Sequence, residues 1–307
     1  MARLRRLLTV SNLLFIALLL LRLIPDRALR VQDHFEYTTY FAIALEAVML
    51  AVTLTTKNDR IRHVFTDVIG FLFAFLCAWT LATAKFKVLN EAVFPPPGAV
   101  FQAMAVDVKV MFANIGSSLV LVFRGYVLAL VIAIPLGLFL GWNVRVGSAA
   151  GYISKFLASI SPIVYIPYFI VLLPTFRSAS VAVMFMAAFW PTLASTMSGV
   201  LGVEKRILDS AKTLGVGHGT MLFRVVLPAA LPQIFIGCNQ GLSVSFILLT
   251  SAEMIGARSG MGYYVNNYAN FGNYTRALAG VFVIGIVVTV ITFFFNILQR
   301  WLLRWKR

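Results

Sequence analysis

Long apolar runs divide this chain, and they constrain its fold more than any other feature. They cover residues 8–24, 39–56, 64–84, 115–141, 153–174, 178–200, 232–255 and 276–299. A hydrocarbon layer about 30 Å thick is crossed by roughly twenty residues of α-helix. Lipid offers no partner to a backbone N–H or C=O, so each run must satisfy its own groups as a helix. The expectation is an all-α protein, a polytopic transmembrane helical bundle of about eight spans. The first two runs are the weakest, being short or carrying a charge, Glu46. The start, Met-Ala-Arg-Leu-Arg-Arg followed by an apolar run from Leu7 to Leu21, has the outline of a signal peptide. Arg22 closes that run without a small-x-small site close behind it, so an uncleaved first helix is expected.

Composition agrees with lipid as the solvent. Of the 307 residues, 60% are hydrophobic and 12% charged, whereas soluble domains carry about 25% charged residues. The formal charge of +15 would suggest nucleic acid in a soluble protein. Here the basic residues sit between the apolar runs, which is the membrane pattern, and no nucleic-acid partner is expected. With the N-terminus in the cytoplasm, the inner segments hold 15 Lys and Arg, the outer segments 7, and 4 lie in or at the edge of spans. That bias predicts both termini inside, hence an even number of spans. Cys77 and Cys238 both fall inside apolar runs and read as small buried residues, not as a disulfide or metal site.

Catalytic chemistry is poorly supported. The three histidines, His34, His63 and His218, lie in or beside loops, and no paired carboxylates or His-x-x-x-His spacing occur. No Gly-Lys pair occurs either, which rules out a phosphate-binding loop of the G-x-x-x-x-G-K-[ST] type in this chain. Two inter-run segments are organised. Residues 85–114 contain Pro95-Pro96-Pro97-Gly98, a rigid turn expected to lead into a short interfacial helix. Residues 201–231 read as a helix from Val203 to Leu214 with Ile207, Ala211 and Leu214 as its apolar positions. Gly215 should stop that helix, and Gly217 and Gly219 should form a turn. Thr220 should then cap a short helix, Met221–Val226, ended by Leu227-Pro228.

That second segment carries a motif. Asp209-Ser210-Ala211 is followed after three residues by Gly215, and after nine more by Val225-Val226-Leu227-Pro228. The spacing resembles the EAA signature of ABC importer permeases, Glu-Ala-Ala, three residues, Gly, nine residues, Ile-x-Leu-Pro, with Asp, Ser and Val as mild replacements. From Phe94 onward the chain is similar to the nitrate/sulfonate/taurine group of such permeases. The landmarks are Phe94-Pro95-Pro96-Pro97, Ser118, Arg124-Gly125, Ile134-Pro135-Leu136-Gly137-Leu138 with Gly141, Ala229-Ala230-Leu231-Pro232, Ala252-Glu253-Met254-Ile255-Gly256-Ala257 and Gly260-Met261-Gly262-Tyr263. The chain departs from that group at Leu173-Pro174-Thr175-Phe176-Arg177, and in having three apolar runs before the Pro-rich turn instead of one.

The resemblance implies a type I ABC importer permease core at 91–307, preceded by extra transmembrane helices at 1–90. It implies that the 201–231 loop is the coupling element, with Asp209, Ser210, Ala211, Gly215, Val225, Leu227 and Pro228 meeting the ATPase. Ala211 would let that partner approach closely. The implied partners are two ATP-binding subunits that hold ATP and Mg, a second permease copy and an external substrate-binding protein. The implied setting is the cell inner membrane, and the cargo a small anion or organic acid. Candidates for the translocation path are Arg124 and Glu253, ionisable groups placed within spans. Pro162 and Pro167 join them as breaks in the fifth run. Gly137-x-x-x-Gly141 reads as a packing face. The rival reading is a secondary transporter or channel working without ATP.

Overall fold

The structure, a computed structural model, describes residues 10–26, 33–56, 58–90 and 92–304. Arg3, Arg5, Arg6, Arg27, Arg30, Lys57, Lys306 and Arg307, which contribute to the charge bias above, lie outside the described residues, as do the first two residues of the 8–24 run. Among these residues twelve helices follow one another: α1 Val10–Leu23, α2 Phe35–Thr55, α3 Asp59–Lys85, α4 Pro97–Val106, α5 Val108–Trp142, α6 Val144–Ser159, α7 Tyr165–Leu172, α8 Phe176–Leu201, α9 Lys205–Thr213, α10 His218–Gly256, α11 Met261–Asn270 and α12 Tyr274–Leu302. Six of them, α2, α3, α5, α8, α10 and α12, are long and apolar enough to cross a membrane. No strand occurs among the described residues.

Two of the eight expected spans differ. The first is a shorter apolar helix, α1. The fifth, 153–174, is not one helix but α6, a 3-10 turn at Pro162–Val164, and α7. The break is local chemistry. A residue before proline is pushed out of the α region, and Pro162 has no N–H to give the turn behind it. Ser161, the residue before Pro162, accordingly lies outside any helix, and Ile160, which caps α6, is already extended with ψ 119°. Pro167 breaks nothing. It lies in the first turn of α7, where a missing N–H costs no helical bond.

The chain forms two compact units. One runs to Val110 and includes Asn267–Val281; the other is Met111–Asn266 with Phe282–Arg307. In the first unit α1 and α3 pack together with α2 and α4 around Leu18, Met49, Ile69, Phe73 and Phe101. Lys85 is buried at the end of α3 and donates from Nζ to Asp26 Oδ1 and the Ile24 carbonyl, both at 2.6 Å. Asp33 sits in the same pocket of about 350 Å³, with both carboxylate oxygens buried and unpartnered among the described residues. Burial first and then the charge of Asp26 push its pKa up to about 6, against the pull of Lys85.

In the second unit α8 is the central helix, with α10 along one side of it and α5 along another. Gly125, Ala129, Ala133, Gly137 and Gly141 recur every fourth residue of α5, all buried, so the two backbones come close. A Cβ at Gly137 would lie 2.7 Å from Thr196 Cβ, and one at Gly141 would lie 2.9 Å from Val200 Cβ. The Gly137/Gly141 packing face read from the sequence is thus one end of a longer strip of small residues.

Candidate functional site

The segment between α8 and α10 is a compact elbow. α9 ends in a Schellman turn, in which the Gly215 N–H bonds the Lys212 carbonyl at 2.9 Å and the Val216 N–H bonds the Ala211 carbonyl at 3.3 Å. This geometry needs a left-handed residue, and Gly215 supplies it with φ +68°. Nothing lies within 4 Å of where its Cβ would be, so backbone conformation alone calls for glycine here. Leu208, Ala211 and Val216 pack inward against Met221, Leu222 and Val226. Of the three apolar positions read from the sequence, only one turns inward. Ala211 is buried in the elbow itself and is not open to a partner, while Ile207 and Leu214 are exposed, Leu214 at 82%.

The second half of the elbow also departs from expectation. Gly217 takes the cap position, Thr220 makes no side-chain cap bond, and the helix begins at His218. It does not stop at Leu227-Pro228 but widens into a π turn over Met221–Val226 and continues as α10 to Gly256. Leu227 N–H reaches back to the Leu222 carbonyl, the five-residue step of a π turn. Pro228 follows within the same helix, and the wider turn before it lets the helix pass a residue that has no N–H to donate. The elbow thus carries its register directly into a membrane-spanning helix. On the surface remain Asp209, paired with Lys212 at 3.6 Å, and Ser210, whose hydroxyl bonds the Arg206 carbonyl. Val225, Leu227 and Pro228 are half-buried at the π turn.

At the far end of α10 a second cluster forms. Glu253 is 1% exposed. Its Oε1 accepts from the Ser118 hydroxyl at 2.6 Å, and its Oε2 accepts from the Gly262 N–H at 2.8 Å. Ser118 Oγ in turn accepts from the Met261 N–H, and Asn114 Oδ1 accepts from the Gly260 N–H, both at 2.8 Å. Gly260 has φ +127°, and a Cβ there would collide with the Glu253 carboxylate. The landmarks Ser118, Glu253 and Gly260-Met261-Gly262 thus form one buried latch between α5, α10 and the start of α11. Glu253 is enclosed by this latch rather than set on an open surface. Asn114 was missed in the sequence, although its spacing of four from Ser118 puts both on one helical face.

Arg124 occupies a different place. It lines a groove of about 590 Å³ with Leu121, Leu128, Arg177 and Phe185. Pro167 is exposed on α7, and the Pro162 backbone opens the 3-10 turn before it. The four path candidates are therefore not gathered in one site.

Comparison with known proteins now decides the family. Residues 133–307 match the family described as binding-protein-dependent transport system inner membrane component. The chain belongs to that family. The permease is 30% identical over 252 residues to a probable ABC transporter permease protein of Brucella abortus, covering 81% of this chain and 98% of the relative. It is 27% identical over 245 residues to the taurine transport system permease protein TauC of Escherichia coli, covering 77% and 88%. Against the bicarbonate transport system permease protein CmpB of Synechococcus elongatus it is 29% identical over 197 residues, covering 64% and 71%. Its fold is similar to a chain of the inward-facing MetNI methionine ABC transporter, with TM-score 0.52 and 16% identity over 64% of the permease and 98% of that chain. The permease is a multi-pass inner-membrane transport component and not itself an enzyme. The resemblance drawn from the 201–231 spacing and the later landmarks named the same family.

Proposed function

We propose that this permease imports a small oxyanion or organic acid, such as a sulfonate, taurine or bicarbonate, and is driven by separate ATP-binding subunits that dock on the 201–231 loop. The observation that carries the reading is the elbow itself. Asp209, Ser210 and Gly215 hold the motif spacing on a Schellman turn, and Ile207 and Leu214 beside them are left exposed by the described residues. Exposed apolar side chains on a rigid, charged projection suit a protein partner. A π turn continuous with α10 suits a lever, because motion at the elbow passes straight into a spanning helix. ATP and Mg reside on the ATP-binding subunits in this reading. The assembly contains two of them, two permease copies and an external binding protein that delivers cargo, and both permease termini face the cytoplasm. The helices of residues 1–90 are a peripheral addition to the 91–307 core. Arg124 and Arg177, in a groove lined by no carboxylate, favour an anionic cargo.

The test is reconstitution of the permease with its ATP-binding subunits and binding protein in proteoliposomes. Taurine, a linear sulfonate and bicarbonate are offered in turn as radiolabelled cargo. Uptake of at least one that requires ATP and stops without the binding protein is expected. Uptake that proceeds without ATP would establish the rival secondary-transport reading.

A further inference from the structure

α10 carries eight polar side chains through its membrane-spanning part. Between 232 and 255 it bears Gln233, Asn239, Gln240, Ser243, Ser245, Thr250, Ser251 and Glu253. Ser245 and Glu253 are buried. Gln240 and Ser243 are exposed, on the same face as the exposed Ile236 and Ile247. Gln240 has no hydrogen-bond partner among the described residues. Beside it, Asn239 Oδ1 is buried and also unpartnered. Both lie near the middle of the run, where a bare amide against hydrocarbon is strongly unfavourable.

This face cannot simply turn inward. The opposite side of α10 is locked to α8 through Gly237 against Ser195 and Gly241 against Ala188. A Cβ added at Gly241 would already lie 3.0 Å from Ala188 Cα. The rotation of α10 is therefore fixed with Gln240 and Ser243 pointing away from its own bundle. The exposed face of α12 is by contrast almost wholly apolar, with Ile286, Val290, Phe293, Phe294, Ile297 and Leu298, and its Thr289 hydroxyl is bonded within the helix to the Gly285 carbonyl.

We propose that the α10 face bearing Gln240 and Ser243 lines the aqueous passage for cargo, with the Gln240 amide donating a hydrogen bond to an oxyanion oxygen as it passes. The proposal rests on the transport function proposed above and deepens it, for it supplies a lining that is polar yet uncharged. An amide and hydroxyls can replace water around a sulfonate or carboxylate without the lasting grip of a fixed cation. The Ser243 hydroxyl donates to the Asn239 carbonyl at 3.1 Å, which leaves its lone pairs open to water.

The test is thiol accessibility in the assembled transporter. Cys77 and Cys238 are replaced by serine and alanine, and single cysteines are introduced as Gln240→Cys, Ser243→Cys and, for lipid contact, Phe293→Cys. A charged, membrane-impermeant methanethiosulfonate should label the first two about tenfold or more faster than the third, and taurine or bicarbonate should slow that labelling. Gln240→Leu should lower uptake about tenfold, the loss of one hydrogen bond, with co-purification of the ATP-binding subunits unchanged. Labelling at positions 240 and 243 no faster than at 293 overturns the proposal. So does spontaneous disulfide formation between two copies through residue 240 in place of labelling, which would make this face a sealed interface. Labelling needs no ATP. A passage that labels while ATP-driven uptake fails would fault the transport reading, and one that stays unlabelled while uptake proceeds would fault this assignment.

Discussion

The two ends of α10 use motif residues in opposite ways. At one end Glu253 is enclosed, and both carboxylate oxygens are occupied by Ser118 and Gly262. At the other, Asp209 and Ser210 stay on the surface with Ile207 and Leu214 exposed beside them. Each end depends on a left-handed glycine, but for different reasons. Gly260 is required by conformation and by lack of space, since Glu253 fills the place of its Cβ. Gly215 is required by conformation alone, with open space around it. A motif whose members satisfy one another holds a fold together. A motif whose members stay exposed adds little to the fold, whatever else it does.

That contrast sets an order of expected effects. Gly260→Val should be the most severe. Backbone strain and collision with the Glu253 carboxylate together cost about 3–5 kcal/mol, and folded protein in detergent, followed by size-exclusion chromatography, should fall sharply. Glu253→Gln should be milder, about 1–3 kcal/mol, because one amide donor would then face the donors of Ser118 or Gly262; a thermal unfolding scan reads it. Recovery of both variants at the level of the parent would break the latch account.

Asp33 sharpens the comparison from the first unit, because its buried carboxylate lacks the donors Glu253 enjoys. Its raised pKa means that the folded protein binds the proton more tightly than the unfolded chain does. The sign follows: the contribution is present in full below about pH 4 and is lost as pH rises through about 6. Asp33→Asn should therefore flatten the dependence of stability on pH across that window and raise stability at pH 7. The smallest stability effect belongs to the elbow. Leu214→Glu should leave unfolding within about 0.5 kcal/mol of the parent, as for an exposed site, while reducing the amount of ATP-binding subunit that co-purifies.

Much of this was legible in the sequence. Six of the expected spans are single helices, and Gly215 was read as the end of a helix for the reason the structure gives, a left-handed turn. What escaped was set by tertiary packing. The sequence showed Ile207, Ala211 and Leu214 as the apolar positions of α9, but not that Met221, Leu222 and Val226 beyond Gly215 would cover Leu208 and Ala211 while Ile207 and Leu214 stay exposed. Leu227-Pro228 looked like a stop because a proline in mid-helix removes a bond. Widening of the preceding turn lets the helix pass. Glu253 was a path candidate because an acid within a span is costly; that Ser118, over a hundred residues earlier, supplies one of its donors could not be read from the sequence.

The central claim is that the 201–231 elbow transmits ATP-driven motion. It is tested most directly by Gly215→Val and Asp209→Arg in the assembled transporter, with co-purification of the ATP-binding subunits and uptake measured side by side. Strain at the left-handed position costs only about 1 kcal/mol, so both variants should insert and remain folded. They should nonetheless bind the ATP-binding subunits weakly and lose transport. Normal co-purification together with normal uptake in both variants would contradict the account and remove this loop from the coupling machinery.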